Sequence, residues 1–234
     1  MFNASDVLLN LFTSRHSCRE FLTDEVPQRV LKTMLTTARC APSSANLQPG
    51  KFHVLQGEAL QQLTRQLTQV ASQNPPEPPE YSYFPVPLPE YLKQRQKTAG
   101  YALYQSLNIG RRDISRRREQ FLANYRFFDA PVGIVVTMPR DMGKGGFIDL
   151  GMLLMSFLLL ADSNGYGTCP IGALANYGHT LHHLLALDDD EMVVCGVALG
   201  LPNPAAAVNQ FRTERLAVDD FAVFYTGSEQ SVAQ

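Results

Sequence analysis

Two arginine-bearing segments lie far apart in this 234-residue chain: Arg15-His16-Ser17-Cys18-Arg19 near one end, and Asn209 to Arg215, with Arg212 between them, near the other. A guanidinium is a rigid fork of N–H donors. Beside a hydroxyl it suits a phosphate held through paired hydrogen bonds. Solvated loops carry the same residues, and spacing alone does not separate the two readings. Between them, Ala41-Pro42-Ser43-Ser44-Ala45-Asn46-Leu47-Gln48-Pro49-Gly50 is a run of small, amide and hydroxyl residues. It can bond the edge of a heterocycle or make an ordinary turn before a strand. Tyr125, Phe127 and Phe128 cluster just before Ala130-Pro131. They are either a stacking wall for a flat molecule or core aromatics ahead of a buried strand.

Other chemistry-bearing residues are weaker. His179, His182 and His183 have spacing that puts two imidazoles on one helix face, but no carboxylate is placed as a third ligand, so a solvated helix face is the better reading and no metal is expected. Gly165-Tyr166-Gly167 follows a helix, not a strand, and is no dinucleotide fingerprint. Cys169 lacks a His–Asn or His–Asp pairing and reads as a small buried thiol. The helix Arg111–Arg118 is interrupted by Asp113 and reads as solvent-facing, not as a nucleic-acid surface.

The elements that must position these residues centre on Phe147–Ala173. From Met152 to Ala161 only Ser156 is polar, so the helix is apolar around its whole circumference. Such a helix is buried on all sides, in a core or between two subunits. Spanning a bilayer takes about 20 apolar residues, and this run is shorter. Asn164 and Gly165 stop it, and the segment after it, Gly167–Ala173, is rich in small residues that let the backbone approach something flat. Before it, helices are predicted over Val7–Ser14, Gln28–Arg39, Glu58–Ser72, Tyr91–Ile109 and Arg111–Asn124, with Ser5 or Asp6 capping the first. Strands are predicted over Lys51–Gln56, Val132–Met138 and Val193–Leu199, with a last, swapped strand at Phe221–Tyr225. A short helix is expected at Leu181–Ala186. Residues 74–90 carry PPEPPE and FPVPLPE, which exclude helix and central strand; they read as an exposed excursion or lid within one domain spanning 1–234. Strands and helices mix without βαβ spacing, which indicates an α+β fold with a small sheet.

Composition narrows the function. With 45% hydrophobic and 18% charged residues the chain has ample material for a core. A net charge of −2 sets up no field that calls for nucleic acid or a membrane surface. Four scattered cysteines without a Cys-x-x-Cys pair fit a reducing cytoplasm, and the N-terminus lacks the basic n-region of a signal peptide.

Taken together the motifs resemble the FMN-dependent nitroreductases. Arg15-His16-Ser17-x-Arg19-x-Phe21 and Ala41-Pro42-Ser43-Ser44-x-Asn46-x-Gln48-Pro49 look like that family's opening. Asn124-Tyr125-x-Phe127-Phe128-x-Ala130-Pro131, Ile148-Asp149-Leu150-Gly151, Thr168-Cys169-Pro170, Val194-Cys195-Gly196-Val197-Ala198-Leu199-Gly200 and Asn209-x-Phe211-Arg212-Thr213-x-Arg215 are similar to the branch that includes nitrobenzoate-type nitroreductases. No single motif is decisive, but their order and spacing from about residue 10 to residue 225 are specific. Departures stand at Ile171-Gly172, where many relatives carry Glu or Gln, and at Gly50, where an aromatic is common.

The resemblance implies a nitroreductase-like fold whose C-terminal extension reaches a partner subunit, in a homodimer with two shared FMN sites. By position, Arg15, Ser17 and Arg215 would hold the FMN phosphate, with Arg212 replacing or assisting a contact. His16 and Arg19 would sit by the isoalloxazine, Arg19 near N1 and O2, where a cation stabilises the reduced flavin. Pro42, Ser43 and Ser44 would come from the partner, with Asn46 and Gln48 shaping the same pocket. Pro170, Ile171, Gly172 and Ala173 would run along the ring and offer backbone N–H groups, their small side chains leaving it room. NAD(P)H would visit as electron donor, and a nitroaromatic or quinone would follow in a ping-pong cycle that needs no side-chain acid or base. A flavin-storage or sensor protein, or a specialised reductase such as a dehalogenase, is the alternative; those specialised relatives carry extra lid sequence.

Overall fold

The computed structural model describes residues 4–225. Four strands form one sheet: β1 (Lys51–Gln56), β2 (Val132–Pro139), β3 (Gly167–Ile171) and β4 (Glu191–Gly200). Their order is β1-β2-β4-β3, and every neighbouring pair is antiparallel. The α+β expectation holds. The strand β3 was missed because its small residues and Pro170 argue against a strand; the proline is tolerated since β3 is an edge. Central β2 and β4 are buried on both faces, so they read as unbroken apolar runs.

Helices cover both faces. On one side Val132, Ile134, Val136 and Met138 of β2 pack against Leu31 and Met34 of α2 (Gln28–Ala38) and Leu150, Leu153 and Phe157 of α6 (Lys144–Ser163). On the other, Val135, Val193 and Ala198 meet Leu60, Leu63 and Leu67 of α3 (Gly57–Gln73) and Leu181 of α7 (Gly178–Leu185). The remaining helices are α1 (Ala4–Ser14), α4 (Glu90–Ser106) and α5 (Ile114–Leu122), and 3-10 turns follow α5 and β3. α1 therefore takes in Ser5 and Asp6, which lie inside its first turn instead of capping it.

The central helix α6 departs from expectation. It starts at Lys144, and by length and composition it could cross a membrane. Its Leu150, Leu153, Phe157 and Ala161 face is buried against α2 and the sheet. Its other face is apolar yet open: Ile148 is 67% exposed, and Met152, Leu154 and Met155 are only half-buried. Within one chain this helix is therefore buried along a stripe, not all round. The predicted terminal strand also does not form: Val218–Asp220 is a 3-10 turn, and Phe221–Tyr225 pairs with nothing among the described residues.

A polar knot ties three strands at one end of the sheet. The Glu191 carboxylate accepts from Lys51, His53 and Thr137. Burial pushes this carboxyl up, but the three donors outweigh it and hold it at about 2. The folded value is depressed, so the knot stabilises the fold above the ordinary carboxylate range. That stability is lost as pH falls from about 4.5 toward about 2. In melts monitored by circular dichroism, Glu191→Gln should lower Tm by about 3–5 °C at pH 6. The difference from wild type should shrink as pH drops toward 2.5.

Candidate functional site

The two arginine segments meet. Arg15, His16, Ser17 and Arg19, which follow α1, line one cavity of about 560 Å³ with Arg212 and Arg215 from the tail. Ala99, Gly100 and Leu103 of α4 form part of its wall. No carboxylate lines it. The guanidinium of Arg15 makes no hydrogen bond or ion pair among the described residues. Arg19 donates to the Ser17 carbonyl at 3.3 Å and lies 5.9 Å from the Phe128 ring centroid. Arg212 donates to the carbonyl of Asn209 at 2.9 Å, and Arg215 to Thr213 Oγ1 at 2.6 Å. All of these acceptors are neutral, so four positive charges remain uncompensated in one concavity. Such a site draws an anion.

His16 sharpens the chemistry. Its Nδ1 lies 2.9 Å from the Ser14 carbonyl, so that nitrogen carries the hydrogen. Its Nε2 is buried and unpartnered among the described residues. An orphaned buried acceptor beside four cations fits a ligand that combines a phosphate with a polar planar body. The residues present thus fit FMN. The three buried thiols do not compete as nucleophiles: burial pushes Cys169 up, Cys18 up to about 11 and Cys195 up to about 12, so these three stay protonated.

One side chain joins the two loops. Asn209 is buried; its Oδ1 accepts from the Arg19 N–H at 2.9 Å, and its Nδ2 donates to the carbonyls of Glu20 and Asn203 at 2.8 and 3.1 Å. Two further backbone bonds reinforce the junction, Cys18 N–H to Thr168 O and Leu22 N–H to Leu201 O. The sequence singled out Asn209 as part of a polar loop; its role as the clamp was not visible there.

Pro42, Ser43, Ser44, Asn46 and Gln48 do not reach this cavity. Their loop is built for rigidity elsewhere on the surface. Ala45, Asn46 and Gln48 all have left-handed φ, near +50°. A buried Asp149 on α6 accepts from Ser44 N–H at 3.1 Å, Ser43 Oγ accepts from Gln48 N–H at 2.9 Å, and Arg39 donates to the carbonyls of Gln48, Pro49 and Gly50. Left-handed residues without a glycine persist only where bonds over-determine them, which is a mark of functional loops.

Pro170, Ile171, Gly172 and Ala173 run from β3 into its 3-10 turn, with Ile171 buried and Pro170 exposed. The bare face of Gly172 is covered from within this chain. A Cβ there would stand 2.7 Å from the ring and hydroxyl of Tyr83, so the vacant side of Gly172 is filled by this chain. The segment 74–89 is accordingly no free excursion. Glu80 is buried beside Arg140 and His182 and accepts from Val193 N–H at 2.9 Å, while Glu77 accepts from Thr180. His182 is therefore not on a solvated face: its Nε2 is buried 3.4 Å from the Glu80 carboxylate, without a hydrogen bond among the described residues. Among the described residues no three side chains form a metal-ligand group.

The stacking wall is also corrected. Tyr125, Phe127 and Phe128 are all buried in the core. Phe127 fills the hollow left by Gly133 and Gly196, with ring atoms 3.1 Å from where either Cβ would be. Phe127, Phe128 and Asp129 all have left-handed φ, which turns the rings inward. Glycines in the middle of two otherwise apolar strands were the signal that an aromatic packs over them.

Fold and site define a family. Residues 12–201 match the model described as the Nitroreductase family. The chain is 38% identical over 217 residues to the chloronitrobenzene nitroreductase of Comamonas testosteroni, covering 92% of this chain and 95% of that one. It is 32% identical to the 4-nitrobenzoate reductase of Pseudomonas putida, over 90% and 92%. The crystal structure of the FMN and NADPH-dependent nitroreductase NfnB from Sphigopyxis sp. strain HMH superposes with a TM-score of 0.89 at 33% identity, covering 96% of this chain and all of that one. The chain belongs to the nitroreductase family.

Replacing Asn209 with Ala strands the Arg19 N–H and leaves the Glu20 carbonyl with the Asn203 N–H alone of its two N–H donors. Urea denaturation should show a loss of about 2 kcal/mol. Isothermal titration should show weaker FMN uptake even though Asn209 need not touch the ligand; unchanged uptake would mean the two loops hold their positions without the clamp.

Proposed function

We propose that this chain is an FMN-dependent NAD(P)H oxidoreductase that reduces nitroaromatic compounds, and quinones by the same two-electron route. The observation that carries this is the convergence of Arg15, Arg19, Arg212 and Arg215 on one cavity without a carboxylate. Relatives named for reducing chloronitrobenzene, nitrobenzene and 4-nitrobenzoate support the acceptor class. A solved relative named for FMN and NADPH supports cofactor and donor.

When bound, FMN supplies the redox chemistry, taking a hydride from NAD(P)H and passing two electrons to the acceptor. The residues of this chain bind and orient. Arg15, Arg215 and Arg212, with Ser17, would hold the phosphate. Arg19 and His16 would meet the ring, Arg19 as a fixed cation and His16 Nε2 as a buried hydrogen-bond partner. Pro170 to Ala173 would lie along the ring through their backbone.

The active form is a homodimer in this reading. The open apolar face of α6, with Val7, Leu8, Leu9 and Phe12 of α1 exposed as well, is too extensive to leave in water. Phe221 to Tyr225 would pair with, or pack on, the second chain. The rigid loop Pro42, Ser43, Ser44, Asn46 and Gln48 would complete the partner's flavin site. The unpaired Cys18, Cys40, Cys169 and Cys195 are consistent with the cytoplasm.

The test is the absorption spectrum of the purified protein, with the released cofactor identified. One FMN per chain is expected, bleached by NADPH and restored by a nitroaromatic. Flavin that binds but never turns over would favour a storage or sensor role. Arg15→Ala should weaken FMN binding about 10- to 150-fold, one charge-assisted phosphate contact. Truncation after Leu201 should abolish both flavin binding and the dimer; a yellow dimeric truncation would overturn the assignment of the tail.

A further inference from the structure

The stretch 90–122 carries charge that the function described above does not use. Eight of the chain's 20 lysines and arginines stand on it, against three of its 22 acidic residues, in a chain whose net charge is −2. Those three carboxylates are engaged. Glu90 pairs with Lys93 and Lys97, Asp113 caps α5 and lies 3.9 Å from Arg116, and Glu119 meets Arg126 at 3.0 Å. The sequence reads Arg111–Asn124 as one solvent-facing helix. The structure breaks it: α5 starts at Ile114, and Arg111 and Arg112 lie in the turn that joins it to α4.

That turn and α4 enclose a hollow of about 310 Å³, whose wall includes Tyr101, Tyr104, Gln105, Asn108, Arg111 and Arg117 and no carboxylate. Both guanidinium groups lie on rings: Arg111 is 4.9 Å from the centroid of Tyr101, and Arg117 is 4.4 Å from that of Tyr104. Such stacking fixes a guanidinium and leaves its charge intact. Their hydrogen bonds go to neutral oxygens. Arg111 Nη2 donates to the Tyr101 hydroxyl at 2.7 Å, and Arg117 Nη1 to the Arg111 carbonyl at 3.1 Å. The turn beneath is stiff. Asn108 is left-handed at φ +51°, Ile109 N–H donates back to the Tyr104 carbonyl at 2.8 Å, and Arg116 donates to the carbonyls of Leu107 and Asn108. A solvated arginine keeps its rotamer freedom; these two are held against one concavity. Because the Tyr101 hydroxyl receives the Arg111 hydrogen bond, its own hydrogen points elsewhere. The bond and charge of Arg111 also hold this phenol below its ordinary value, which strengthens it as a donor.

We propose that this hollow binds the phosphate monoester of a nucleotide. Arg111 and Arg117 supply two fixed charges, the Tyr101 hydroxyl a further donor, and the amides of Gln105 and Asn108 a polar edge for ribose or base. The excess of positive charge on the stretch draws the anion in. The hollow shares α4 with the arginine cavity: Ala99, Gly100 and Leu103 wall the cavity, Tyr101 and Tyr104 the hollow. The 2′-phosphate of NADPH is one source of such a group, and a separate nucleotide is the other. The first source rests on the donor proposed above. It would make the hollow the place where NADPH is told from NADH, which carries no phosphate monoester.

The test uses the FMN-loaded protein, whose flavin cavity is filled, and a matched pair, adenosine 2′-monophosphate and adenosine, followed by isothermal titration. Wild type should bind one 2′-monophosphate per chain, at least about tenfold tighter than adenosine. Added salt should weaken that binding. Arg111→Gln and Arg117→Gln should each weaken it about 10- to 150-fold, with bound FMN reporting that the variants fold. Arg111→Lys, which keeps the charge but not the fork, should fall between. Under turnover, a 2′-monophosphate that raises the apparent KM for NADPH and not kcat identifies the donor's own end as the ligand. Arg117→Gln should then lower the NADPH-to-NADH ratio of kcat/KM about tenfold. A 2′-monophosphate that lowers kcat at saturating NADPH identifies a separate nucleotide, and upholds the site equally. Wild type that binds the two probes alike, or FMN-loaded variants that bind the 2′-monophosphate as wild type does, overturn this inference and leave the flavin assignment standing. A wild-type protein that takes up no FMN overturns the flavin assignment, and the Arg111 and Arg117 variants still decide the hollow.

Discussion

Four guanidinium groups repel one another, and bringing them into one cavity costs free energy that a folded chain recovers elsewhere. Here the recovery is local and rigid. The Asn209 side chain spends its acceptor and both donor directions on backbone of the two loops. The Ser17–Thr168 bridge ties the first loop to the edge strand β3. The charges are therefore set in place by neutral bonds, not by carboxylates, and stay available for an anionic ligand. A carboxylate at this junction could accept from the Arg19 N–H but could not donate to the Glu20 and Asn203 carbonyls, and it would cancel the charge that makes the site.

The sheet explains why the clamp can be so exacting. β2 and β4 are buried on both faces, so β4 leads into the tail from the most rigid part of the molecule. The Phe127 ring bridges β2 and β4 by filling the gap over Gly133 and Gly196. A close-packed contact of this kind transmits position without slack. From there the chain needs only the turn at 201–209 to deliver Asn209 under Arg19.

Much of the fold was legible because buried strands and amphipathic helices leave periodic signatures. β1 matched its predicted limits, and α2, β2 and β4 fell within two residues of theirs. The arginines were legible as a phosphate site only through family likeness, since their meeting is a tertiary event that no spacing encodes. Phe127 and Phe128 were misplaced because a left-handed backbone run inverted them, and nothing in Tyr-Arg-Phe-Phe-Asp announces that geometry. The segment 74–89 was read as loose because proline forbids ladders; buried glutamates did the anchoring instead. A carboxylate in a proline-rich stretch has no periodic signature, and its partners, Arg140, His182 and Thr180, lie far along the chain. β3 hid for a related reason, since an edge strand can borrow its order from a single neighbour.

Because segment 74–89 is fastened by side chains and not by a backbone ladder, its tip and its fastenings tolerate change differently. Substitutions between Phe84 and Pro89 disturb no sheet register and no core contact, so lineages can drift there at little risk to the scaffold. Glu80, Gly172 and Gly178 are the reverse: each is one half of a lock whose other half is distant in sequence, and a change in one demands a change in the other. Sequence change along this segment should therefore proceed in the tip, while its fastenings change in correlated pairs or not at all.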